Sequence, residues 1–189
     1  MRSILFTFVL LFNAVLLFSQ EDVFSNKTNI ALEKVIRDYP NRFHNIRGEI
    51  ITQHPTASEY KSTITVPGAT SSIWKYNVAS NEICSWNCVT FSSKDFLQAR
   101  TKFKEVYDQI ENTIIKMEGQ KPFILNAQYR TPTELHSVNM ITFELLPLVD
   151  DIKNLKIDLS LEKEMNVWKV KLSVSDGDHK LTSSTAAIQ

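Results

Sequence analysis

Cys84 and Cys88 are the only two cysteines in the 189-residue chain, and Ser85, Trp86 and Asn87 lie between them. These residue types at this spacing point to thiol chemistry, either a redox centre or a structural disulfide. Thioredoxin-like centres place two residues between their cysteines and sit in a βαβ unit. Here the spacing is longer and no such unit surrounds it, so the structural reading is favoured. On a regular strand, residues four apart are separated by roughly 13 Å, far beyond the Cα distance of about 4.4–6.8 Å that a disulfide bridges. The spacing therefore predicts a hairpin whose loop is Ser85–Asn87, with a Cys84–Cys88 disulfide across its base contributing about 2 kcal/mol. Trp86 would then stand at the loop tip, a large aromatic held ready as a binding contact.

The other chemistry-bearing residues do not assemble along the chain. His44, His54, His136 and His179 are scattered, and no two fall at a zinc-ligand interval. Asp176-Gly177-Asp178-His179 lacks the repeated acidic positions of a calcium loop and reads as a turn. Asp150 and Asp151 read as a solvated loop. There is no nucleophile elbow, phosphate-cradling glycine loop or zincin motif. The sequence thus names no catalytic residue, no metal ligand and no cofactor. An enzyme would need a site assembled only in three dimensions.

The elements that would position these residues follow from hydrophobic periodicity. Leu32, Val35, Ile36 and Tyr39 recur at helical spacing, with Asn26, Thr28 or Asn29 available as caps and Pro40 ending the run. Tyr60, Ile64 and Val66, then Trp74, Tyr76 and Val78, alternate as strands on either side of a Pro67-Gly68 turn. From Ser92 to Met117, Phe96, Ala99, Phe103, Val106, Tyr107, Ile110, Ile114 and Met117 form one stripe, which predicts a helix of about 39 Å at 1.5 Å per residue. Strands follow at 123–129 and 138–146. A regular hairpin then pairs Leu155, Ile157, Leu159 and Leu161 with Trp168, Val170, Leu172 and Val174 around a 164–166 turn. The order helix, strands, long helix, strands predicts an α+β two-layer domain, a long helix packed on a mainly antiparallel sheet.

Arg2 followed by an apolar run from Ile4 to Phe18, closing on Ser19, has the form of a secretory signal peptide. The run is shorter than the roughly 20 apolar residues of a membrane span. Residues 1–19 are expected to be cleaved, leaving 20–189 as a single domain with short loose ends and no membrane span. The ending Phe18-Ser19-Gln20 resembles signal-peptide ends of some Gram-negative bacteria, which implies a periplasmic or secreted product. Removing Arg2 with the leader leaves 20 basic against 21 acidic residues, a balance that disfavours nucleic acid as a partner. The leading functional expectation is a noncatalytic envelope or secreted binding module, using an exposed sheet edge, the Trp86 loop or a helix groove on an envelope or extracellular protein. The alternative is a secreted hydrolase-like enzyme.

Overall fold

A computed structural model describes residues 26–78, 81–148 and 152–177. The leader at 1–19, Asp150, Asp151 and His179 lie outside the described residues. The first described element is helix α1 (Lys27–Asp38), which begins where the Asn29 backbone N–H donates to Asn26 Oδ1 at 2.7 Å and buries Ala31, Leu32, Val35 and Ile36. A short 3₁₀ turn, Tyr39–Asn41, carries the proline that stops it.

Four strands follow as a meander: β1 (Arg47–Gln53), β2 (Ala57–Ser62), β3 (Thr70–Val78) and β4 (Asn81–Ser93). Helix α2 (Phe96–Ile110) leads to a second meander of β5 (Ile114–Ile115), β6 (Phe123–Asn126), β7 (Val138–Leu146), β8 (Leu155–Glu164) and β9 (Val167–Asp176). The described strands make one nine-stranded sheet in the order β1-β2-β3-β4-β9-β8-β7-β6-β5, and every neighbouring pair is antiparallel. The α+β expectation is therefore corrected. The described fold is mainly β, an antiparallel sheet with two short helices of 12 and 15 residues.

The long helix expected over 92–117 is the specific error. Ser92 and Ser93 belong to β4, and Asp95 is the cap, its Oδ1 accepting from the Leu97 and Gln98 backbones. At the other end Glu111 is extended and Asn112 takes a left-handed φ of 62°, a conformation that stops a helix. The Asn112 N–H then donates to Leu125 O, and Leu125 N–H to Thr113 O. Ile114, although spaced to continue the stripe, and its neighbour Ile115 are β-branched and pair with β6.

Helix α2 packs on β4, β8 and β9 and buries Phe96, Ala99, Phe103, Val106, Tyr107 and Ile110. Each large apolar side chain so buried contributes on the order of 1.5–3 kcal/mol. Phe96 meets Trp168 ring to ring at 4.9 Å, while Tyr107 meets Phe143 at 5.7 Å. The sheet's other face carries half-buried Trp74, Tyr76, Asn87, Lys171 and Ser173, with Met140, Thr142 and Glu144 exposed.

Candidate binding site

The expected cysteine hairpin does not exist. Cys84 and Cys88 lie in the middle of β4, a 13-residue strand, opposite Lys75 and Ser71 of β3. Both thiols are free and buried. Four residues apart on one strand, they cannot meet. The expected Cys84–Cys88 disulfide is therefore absent, because the strand separates the two residues by more than a disulfide can bridge. The segment is a strand because Cys84, Trp86 and Cys88 occupy one face at a period of two and pack into the core beside Ile73, Leu172 and Val174.

Trp86 is likewise not at a loop tip. Its side chain is 0% exposed, and its indole N–H donates to Ser62 Oγ at 3.0 Å. Placed there, it anchors β4 to the end of β2.

Around Cys84, Arg47, Lys75 and Glu82 form a charged cluster. Lys75 Nζ lies 2.5 Å from Glu82, the Cys84 thiol donates to Glu82 Oε1 at 3.4 Å, and Arg47 approaches Cys84 Sγ at 3.8 Å. Burial first, and then the Glu82 carboxylate, push the Cys84 thiol up to about 11. Burial also raises Cys88. Both thiols are held protonated at neutral pH, so the cluster lacks the thiolate that redox or nucleophilic chemistry requires. The hydrogen bond from Lys75 holds Glu82 below its ordinary value.

The described histidines stay apart: His44 follows the 3₁₀ turn, His54 sits between β1 and β2, and His136 precedes β7. Among the described residues no group of three His, Cys, Asp or Glu side chains could hold a metal. No helix among them is long and apolar enough to cross a membrane.

What the sheet does build is a pair of furrows, because β7 changes partner along its length. Val138–Phe143 pair with β8, whereas Glu144–Leu146 pair with β6 on the opposite side. Each half of the strand consequently has one edge without a neighbouring strand among the described residues. Beyond Asn126 the chain that formed β6 continues without pairing to β7, so the strand expected over 123–129 ends at Asn126. A furrow of about 450 Å³ opens between this segment and β7, lined by Asn126, Gln128 and Arg130 on one side and Met140, Thr142 and Glu144 on the other. Its floor includes buried Ala127 and Ile141. A second furrow, of about 530 Å³, lies where β7 parts from β8.

Helix α2 holds the wall of the first furrow. Tyr107 Oη donates to Ala127 O at 2.6 Å, and the Tyr107 and Tyr129 rings pack at 4.9 Å. Lys104 Nζ lies 5.1 Å from the centre of the Tyr129 ring. Burial, with Glu111 beside it, pushes the Tyr107 phenol up to about 12, so its proton is in place at any physiological pH. Asn139 pins the loop that returns to β7: its Oδ1 accepts from Thr133 N–H, and its amide donates to Thr133 O and His136 O. On β7, Thr142 Oγ1 is 2.5 Å from Asp158 Oδ1.

Comparison with family models, with curated proteins and with solved structures returns no match. The furrow residues were missed in the sequence because none has a motif. Alternation in Val138–Leu146 does place Met140, Thr142 and Glu144 on the wet face, but the wall opposite them is held by a Tyr107–Ala127 hydrogen bond between residues twenty apart.

Proposed function

We propose that this chain is an exported, noncatalytic binding module that takes an envelope or extracellular protein in the furrow beside β7. The observation that carries this reading is the change of strand partner at β7, which leaves a stretch of sheet edge open inside a walled, prearranged cleft. The lining suits recognition: two amides, a guanidinium, a carboxylate and a hydroxyl that already bonds to Asp158. The address rests on the leader-like residues 1–19, and a periplasmic or secreted protein would act after losing them.

The test is affinity capture with the chain from residue 20 onward, exposed to envelope and medium fractions of its source cells. Thr142→Arg adds a long, charged side chain at an exposed position that lines both furrows. The variant is expected to melt with the wild type and to lose the retained partner. Equal retention by a folded variant would sink the proposal.

A further inference from the structure

Backbone direction along β7 can be read from one bond. The Lys163 N–H of β8 donates to Ser137 O, so the Ser137 carbonyl faces β8. In an antiparallel ladder the N–H and C=O of a residue point to the same side, and successive residues alternate. Asn139, Ile141 and Phe143 thus turn their backbone groups to β8, while Met140 and Thr142 turn theirs into the first furrow. Glu144, next in that alternation, uses its outward edge to pair with Asn126. The furrow therefore presents the N–H and C=O of Met140 and Thr142 with no strand opposite them among the described residues.

The charges at its two ends are of opposite sign. Glu144 marks the end closed by β6, and Arg130 lies on the wall toward Met140. Both are exposed, and neither forms an ion pair with another described residue.

We infer that the occupant of the furrow is an extended peptide segment that adds to β7 as an antiparallel strand, with a basic residue toward Glu144 and an acidic residue toward Arg130. This rests on the furrow being the binding site. Antiparallel addition matches every pairing in the sheet and places the peptide's N-terminal end at Glu144. Residues 3 to 5 of a five-residue segment lie opposite Thr142, Ile141 and Met140, the stretch that β6 leaves open, while residues 1 and 2 rise out of the sheet plane past Asn126 onto the open face, where the Glu144 side chain is exposed. In such a peptide residues 3 and 5 share the open face with Thr142 and Met140, and residue 4 turns toward Ala127 and Ile141.

The probe is the blocked peptide acetyl-Lys-Val-Thr-Val-Glu-amide, compared with its reversed-charge form acetyl-Glu-Val-Thr-Val-Lys-amide in a direct titration. The matched peptide is expected to bind roughly five-fold more tightly, the scale of two exposed ion pairs. Met140→Pro removes a furrow-facing N–H without touching the bonds to β8 and should abolish binding of the matched peptide while the protein stays folded. Should that variant fail to fold, Arg130→Glu combined with Glu144→Lys keeps the backbone intact and should invert the preference. Equal affinity for the two peptides, or undiminished binding by folded Met140→Pro, overturns the inference. If Thr142→Arg loses the captured partner and the two peptides bind alike, the peptide reading fails and the furrow stands. Retention of the partner by Thr142→Arg removes both.

Discussion

Cys84 touches a carboxylate on one side and a guanidinium on the other, yet the balance of these neighbours and of burial leaves its proton in place. Burial disfavours the thiolate, Glu82 disfavours it further, and the nearby Arg47 and Lys75 only partly offset them. Both cysteines should therefore resist a thiol reagent such as dithiobis-nitrobenzoate at pH 8 in the native protein. On denaturation two equivalents should react. A peptide map showing a Cys84–Cys88 cross-link would refute the strand placement. The sequence already held the correction at this scale: Cys84, Trp86 and Cys88 alternate with Ser85 and Asn87, the pattern of a strand with one face inward. Knowing only the short spacing of the cysteines invites a hairpin; counting the period around Trp86 argues for a strand.

Among the elements, the charged side chains tie strands together and make the sheet acid-sensitive. Glu82 in β4 is held by Lys75 of β3, and Glu164 at the end of β8 bonds to Lys169 and Lys171 of β9. Both carboxyls are held below the ordinary 4.5, in each case chiefly by hydrogen bonds from lysine. A carboxyl depressed on folding adds stability that is fully present above its unfolded value of 4.5 and is lost as the pH falls through its lower folded value. The unfolding free energy obtained from urea titration should accordingly drop between pH 5 and pH 3. In Glu82→Gln the drop should be smaller by up to about 1 kcal/mol, since one of the pairs can no longer be lost. An identical drop in variant and wild type would show that Glu82 does not take part.

Elements were legible where a pattern stayed local. The alternation of Leu155–Leu161 against Trp168–Val174 led directly to the β8–β9 hairpin, and Pro40 marked the end of α1. Where a distant segment competed for the chain, periodicity misled. Ile114 fits the helical stripe of α2, but Leu125 bonds both Asn112 and Thr113 and draws the chain into the sheet. The furrow was illegible for a related reason. No local pattern records that Ala127 is held by Tyr107.

Across the whole molecule, two meanders share one apolar core. It runs from Leu32 of α1 and Trp86 of the first meander to Phe123 and Val174 of the second, and β4 and β9 form the seam between the two. Neither half can bury its share alone, so unfolding should be a single cooperative event. Trp86 and Trp74 lie in the first meander and Trp168 in the second, so tryptophan fluorescence senses both halves while far-ultraviolet circular dichroism follows the sheet. The two signals should give superimposable denaturation curves. Separated midpoints would mean that the halves unfold independently. Because the seam joins residues about eighty positions apart, such as Cys88 and Leu172, folding belongs with the slower β proteins, on the millisecond-to-second scale.

The same seam sets an order in time. A ribosome delivers β4 long before β9, last of the described strands, and until β9 arrives the longest of them has one side unclaimed. That side belongs to a strand whose inward face is Cys84, Trp86 and Cys88, an adhesive edge of the kind that finished proteins cover. The nascent chain is thus most exposed to aggregation while its second meander is being made, and a chain cut short before Val167 would keep that exposure permanently.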